Sequence, residues 1–183
     1  MLVISGPSGC GKSSICKRLL EDERVVFSIS ATTRPPRPGE VDGRDYQFVT
    51  PEKFLEMRKR GEFIESASVH GNLYGTPWAP MEQALKEGKV YLLEIDVQGA
   101  LQLKEQGIAG VYVFINYPDF ETLEKRLVGR GTDAPDVIRR RLEKAQDEVR
   151  EKDKYDHIVI NDDLDRAVGE VRRIVGLVQE EVR

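Results

Sequence analysis

The chain has 183 residues, 39% of them hydrophobic, enough for one well-filled core and a single domain with inserted subdomains. Charged residues make up 33% and nearly cancel to a net −4, which excludes a broad basic surface for nucleic acid and makes any anion site local. No apolar run approaches the ~20 residues a bilayer span needs, and the opening MLVISG carries no basic n-region or cleavage pattern, so a cytoplasmic protein with no membrane partner is expected.

Taken in chain order, short apolar runs alternate with amphipathic stretches, the pattern of a mostly parallel sheet covered by helices. Residues 2–5 (LVIS) read as a buried strand, 13–20 as a helix and 25–30 (VVFSIS) as a second strand. The alternation then breaks. The segment ATTRPPRPGEVDGRDY (31–46) holds Pro35, Pro36 and Pro38, which fix φ and donate no hydrogen bond, so it reads as a stiff, exposed loop. YQFV, EFIESASV and HGNLYGT read as a small antiparallel insert with hairpin chemistry, and helices are expected to start at Pro51 after Thr50 and at Pro77 after Thr76. Beyond it come a strand at 90–96, a helix at 97–105, a strand at 110–115 and a helix at 119–128. A glycine-rich hinge (129–136) leads to a helix from about 136 to 152 with Ile138, Leu142, Ala145 and Val149 on one face. A strand at 157–160 precedes a last helix from Leu164 to Val182, capped within 161–163.

The chemistry starts at GPSGCGKSS, which fits G-x-x-x-x-G-K-[ST] with Gly6, Gly11, Lys12 and Ser13 in the fixed positions, between a buried strand and a helix. Its glycines let backbone N–H groups converge on phosphate oxygens at the positive end of the helix. Lys12 is expected to bridge the β- and γ-phosphates of a nucleoside triphosphate, and the Ser13 hydroxyl to ligate Mg²⁺. Pro7, Ser8, Gly9, Cys10 and Ser14 complete the loop. Cys10 is either a small spacer or a thiol with a pKa lowered by the helix terminus and Lys12. Cys10 and Cys16 are not spaced as a metal knuckle, and His70 and His157 are too few and too scattered for a metal site. Glu94 and Asp96 stand two apart at the end of their strand, so their side chains share a face where an open α/β sheet puts its ligands. Such carboxylates can order water around Mg²⁺ or accept from a substrate. The guanine-reading N-K-x-D of GTP-binding switches is missing, which argues against a GTPase.

Arginines form two further groups: Arg34, Arg37 and Arg44 in the proline loop, and Arg126, Arg130 and Arg141 around the hinge. Two groups suggest two phosphate clients, an acceptor monoester and the triphosphate donor, with a hinged lid that excludes water from the transfer. That combination describes a nucleoside-monophosphate kinase.

Six blocks in order, GPSGCGKS, SATTRPPRPGEVDGRDYQF, EFIESASVHGNLYGTP, LEIDVQGA, RLVGRGTD with RRRLEKAQDE, and IVINDDLD, resemble the guanylate kinase family over essentially the whole chain. The resemblance implies an α/β P-loop nucleoside-monophosphate kinase fold in a single domain. Its parts are a core (about 1–30, 88–125 and 155–183), a mixed GMP-binding insert (about 31–87) and a helical lid (about 126–154). It implies transfer of the γ-phosphate of ATP to GMP, and to dGMP, with Mg²⁺ and lid closure, and hence a part in GMP recycling and GTP supply. Residue by residue, Arg34, Arg37, Tyr46 and Tyr74 would hold the acceptor phosphate, while Ser30, Glu65, Thr76 and Asp96 would read the guanine. Lys12, Arg126, Arg130 and Arg141 would carry catalysis around ATP, Asn161 would begin the adenine-side loop, and Glu94 or Asp96 would reach Mg²⁺ through water. The resemblance assigns Arg44 nothing specific. A non-catalytic, protein-binding module of this scaffold is the first alternative, disfavoured because the phosphate-loop glycines, Lys12 and the lid arginines are all present. A kinase for another phosphorylated acceptor, such as a ribose bisphosphate, is the second, and it would not need the complete base-reading set.

Overall fold

The chain is described by a computed structural model over residues 1–37, 39–69, 71–129 and 134–177. Five strands form a parallel sheet: β1 (Leu2–Ser5), β2 (Val25–Phe27), β7 (Val90–Glu94), β8 (Val111–Asn116) and β9 (His157–Ile160), in the order β2-β7-β1-β8-β9. Parallel strands need crossovers that cover both faces, so every residue of β1 is buried. Alternation along the strands separates two cores. Leu2, Ile4, Leu92, Val113 and Ile115 face α1 (Lys12–Leu19) and α7 (Leu164–Ile174), packing on Ile15, Leu19, Val168 and Val171. Val3, Leu93, Tyr112 and Phe114 face the opposite way, onto Val97, Ala100 and Leu103 of α4 (Val97–Glu105) and Ala84 of α3 (Trp78–Lys86). All five strands point the same way, so their carboxyl ends bring residues 6–11, 28–30, 95–96 and 161–163 to one edge.

The insert is a second sheet, ordered β4-β3-β6-β5, from β3 (Ala31–Thr32), β4 (Gln47–Phe48), β5 (Phe63–Val69) and β6 (Asn72–Pro77). Its hairpin β5–β6 and the β3–β6 pair are antiparallel as read, but β3 and β4 pair in parallel, because the long proline loop carries the chain back to start again in the same direction. Helix α2 (Pro51–Lys59), capped by the Thr50 hydroxyl, closes over this sheet with Phe54 and Met57 packed on Ala31. Helices α5 (Phe120–Val128) and α6 (Pro135–Val149) join through a third small cluster, Leu123, Leu127, Leu142 and Ala145.

Several boundaries differ from the sequence reading for visible reasons. After Phe27 one last bond, Ser28 N–H to the Leu92 carbonyl, is made before the chain leaves the sheet toward the insert, so the strand stops short of residue 30. Pro77 still pairs with Phe63 and serves as the cap of α3 rather than its first residue. Helix α6 ends at Val149, and residues 152–154 form a separate 3-10 turn. Helix α7 stops at Ile174 because Gly176 (φ +68°) closes a Schellman turn: Gly176 N–H bonds Arg173 O and Leu177 N–H bonds Arg172 O. Val178 and Val182, read as its continuation, lie outside the described residues, as do Pro38 and His70.

Leu92 is fully buried on β7, an interior strand of the sheet beside the central β1. Leu92→Ala is expected to destabilise the fold by about 2–5 kcal/mol, measured by urea unfolding.

Candidate active site

At the carboxyl edge the β1–α1 loop turns on Gly6, Gly9 and Gly11, all at positive φ. Two of these glycines are also demanded by space: a Cβ on Gly6 would collide with the Ile115 carbonyl, and one on Gly11 with the Asn161 amide. Gly11 gives α1 no side-chain cap, so the helix's first N–H groups remain turned into the loop for an anion. Lys12 lies across the loop, its Nζ donating to Gly6 O (2.6 Å) and Pro7 O (2.9 Å). Ser13 Oγ donates to Glu94 Oε1 at 2.7 Å, joining the loop to the end of β7.

Asn161 is 5% exposed, and its side-chain amide donates to Cys10 O at 2.8 Å. Arg126 reaches from α5 to the same place, donating to Asn161 O (2.8 Å) and Cys10 O (3.5 Å). Both residues therefore brace the phosphate loop. Arg130 lies outside the described residues.

Cys10 is fully buried, and desolvation pushes its thiol pKa up despite the neighbouring Lys12, which corrects the activated-thiol alternative in favour of a spacer. Cys16 is raised by the same cause.

In front of the loop lies a cavity of about 430 Å³, lined by Lys12, Ser13, Glu94, Asp96 and, from α6, Arg141. Two further lining residues, Lys144 and Glu148, were not singled out from the sequence. Their signal was available: positions 141, 144 and 148 share one helical face beside the apolar stripe. Lys144 pairs with Glu148 at 3.4 Å, and burial raises the Glu148 carboxyl. A second cavity of about 280 Å³, lined by Ser30, Tyr46, Glu65, Tyr74, Glu94, Ile95 and Asp96, shares Ser30, Tyr46, Glu94, Ile95 and Asp96 with the first. Gln98, Gln102 and Ser68 complete its wall and were likewise missed.

Behind the wall of the second cavity Thr76, fully buried, donates to the lining residue Glu65 at Oε1 (2.8 Å), and its oxygen lies 3.1 Å from Ser30 Oγ. Burial is the main cause that raises the Glu65 carboxyl. Asp96 is not in the strand with Glu94. It caps α4 with Oδ1 accepting from Gly99 N–H at 2.8 Å, while Glu94 is the carboxylate bonded to the loop hydroxyl of Ser13.

Among the proline-loop cations the structure separates three cases. Arg34 has a side chain only 12% exposed, paired with Glu40 at 2.8 Å, over the Tyr46 ring (5.5 Å) and the Phe48 ring (5.8 Å). Tyr46 and Tyr74 meet edge to face at 6.0 Å, and burial raises the Tyr46 phenol. Arg37 is exposed, with its backbone N–H on Glu40 Oε2. Arg44 holds the turn, bonding Asp45 and Gly39 O, with its side chain 66% exposed.

A glycine phosphate loop at the edge of a parallel sheet, opening through a shared cleft into a second polar cavity, defines a P-loop kinase of the nucleoside-monophosphate class. A sequence model of the family described as guanylate kinase matches residues 1–177. The guanylate kinase of Lactococcus lactis is 49% identical over 96% of this chain and 86% of its own length, and that of Syntrophotalea carbinolica 51% identical over 96% and 84%. The crystal structure of guanylate kinase from Anaplasma phagocytophilum superimposes with a TM-score of 0.75 at 34% identity, covering 100% of this chain and 87% of that one. The chain belongs to the guanylate kinase family.

Both cysteines being buried, they are expected to resist a thiol reagent at about pH 8 in the native protein, with or without nucleotide, and to react fully once it is unfolded. Stoichiometric labelling of the native chain would contradict the raised thiol pKa values.

Proposed function

We infer that the chain transfers the γ-phosphoryl group of ATP to GMP, giving ADP and GDP. The observation that carries this is the shared cleft, with the phosphate loop at one end and the Ser30–Thr76–Glu65 hydrogen-bonded set beside Asp96 at the other. ATP belongs at the loop, where the free N–H groups of α1 and Lys12 meet its phosphates. In this reading Lys12 exchanges its carbonyl partners for phosphate oxygens, and Arg141 faces the same cavity from α6.

Guanine suits the other end. Its N1–H and N2–H₂ form one edge of donors, which the Glu65 carboxylate accepts as a pair, while the second oxygen of Asp96 remains beside it. Adenine presents an acceptor at N1 to the same carboxylate, and a site built on such bonds discriminates by ~10⁴ or more. The acceptor phosphate belongs with Arg34, Arg37, Tyr46 and Tyr74. All these contacts go to base or phosphate, so dGMP is an acceptor too.

The phosphate of GMP is already a nucleophile, so the chain needs no general base: it aligns two anions and offsets their charge. Ser13 Oγ and Glu94 form a pair of hard oxygen donors at the mouth of the loop, which fits Mg²⁺ with Glu94 acting through water. Bound there, the ion would neutralise charge on the triphosphate. The cluster beneath α2 supports an acceptor insert built partly on a core of its own, tied to the parallel sheet by Ile64, Met81 and Ala84, and the α5–α6 pair would act as a lid that closes to exclude water.

The test is a coupled ADP-release assay across GMP, dGMP, AMP and sugar phosphates, with and without Mg²⁺. GMP is expected to be the preferred acceptor. Lys12→Ala should lower kcat on the order of 10²–10³-fold with the fold intact by circular dichroism. Arg34→Ala should act chiefly on GMP, raising its KM roughly tenfold or more. Near-wild-type turnover in Lys12→Ala would refute its role.

A further inference from the structure

The protons of the acceptor cavity can be counted. Thr76 donates its only hydroxyl proton to Glu65 Oε1. The bond between Ser30 and Thr76 therefore has Ser30 as donor, since Thr76 has no second proton to give. The chain of bonds runs from Ser30 to Thr76 to Glu65, and Ser30 is left with lone pairs for a base.

The two purines ask different things of this chain. For guanine, Ser30 turns its proton from Thr76 to O6, and Glu65 accepts from N1–H and the 2-amino group as a pair. For adenine, Ser30 as it stands accepts from the 6-amino group, and the obstacle is Glu65, which as a carboxylate faces another acceptor at N1. A protonated Glu65 removes that obstacle. Thr76 occupies Oε1, so the proton resides on Oε2 and can be donated to adenine N1.

We propose that the Ser30–Thr76–Glu65 relay selects the purine: with Glu65 ionised the cavity takes GMP, and with Glu65 protonated it takes AMP, so base specificity depends on pH. This rests on the assignment of the cavity to the acceptor base. The groups facing Glu65 come from every neighbouring element. They are Asp96 at the start of α4, Glu94 at the end of β7, Tyr74 of β6, Tyr46 beside β4, and Arg58 of α2 from the groove behind. Burial and the Asp96 charge favour the protonated form and the Thr76 bonds oppose it, with a net upward displacement, so the proton is taken up at a higher pH than by a free glutamate.

The experiment measures kcat/KM for AMP and for GMP on the intact enzyme from about pH 8 to about pH 5. In their ratio the titrations of ATP, of the acceptor phosphate and of the shared cations cancel. The two acceptors select opposite forms of one carboxyl, so the AMP:GMP ratio should rise about tenfold for each unit fall in pH. A flat ratio, or AMP turnover that stays at the blank at the acid end, overturns the proposal. Glu65→Gln, which offers donor and acceptor at every pH, should give a ratio that is independent of pH and higher than the unmodified enzyme's at about pH 8. A slope that persists in Glu65→Gln places the selecting proton elsewhere and also overturns it. If the unmodified enzyme does not phosphorylate GMP at about pH 8, the assignment of the cavity fails too; normal GMP turnover with a flat ratio refutes the selector alone.

Discussion

The site depends on how the phosphate loop is held. A loop of six residues with three positive-φ glycines has many conformations open to it, and an anion site needs one. The fold supplies it by clamping the loop between two neighbouring strand ends. Gly6 lies against the Ile115 carbonyl of β8, and Asn161, just after β9, passes under Gly11 to bond the Cys10 carbonyl. Asn161 is itself fixed, its backbone N–H on Asn116 O and its carbonyl under Arg126. A buried amide with its donor satisfied is worth more than its single bond, because any displacement leaves a polar group without water or partner.

From that clamp the remaining geometry follows. The loop's position fixes the start of α1, hence Lys12 and Ser13, and Ser13 in turn meets the end of β7 through Glu94. One residue beyond the β7 end the chain turns into α4, with Asp96 committed to its first turn. The second cavity is thus tied to the phosphate loop through a few residues of parallel sheet. The insert adds Arg34, held by Glu40 and the Tyr46 ring, so the cation proposed for the acceptor phosphate is already ordered by the chain's own contacts.

Much of this was legible in the residues. The strands of the parallel sheet are runs apolar on both faces, and the loop motif lies between strand and helix, so both could be placed from local pattern. What could not be read are features decided by partners distant in sequence. Arg34 and Arg44 look alike in a proline loop, yet one is sequestered by Glu40 and the other braces a turn, and only the folded loop separates them. Two-residue spacing suggested that Glu94 and Asp96 share a strand face, but a helix cap took Asp96. The parallel pairing of β3 with β4 depended on the path of a loop with no periodicity at all. The end of α7 is the opposite case: Gly176 is a local stop signal, although the apolar spacing continues past it to Val178 and Val182.

Dividing the apolar interior into separate clusters has a consequence for how such a chain changes over generations. Ala31, Phe54 and Met57 form a core of their own, packed with Val49, Phe63 and Leu73 and with no member shared with either face of the parallel sheet. Substitutions in clusters without common partners add rather than compound. The part of the insert beneath α2 can therefore drift, while Ile64 of β5 and Met81 and Ala84 of α3, which share a core with Val3 and Leu93, keep the rest of the insert bound to the stability of the parallel sheet.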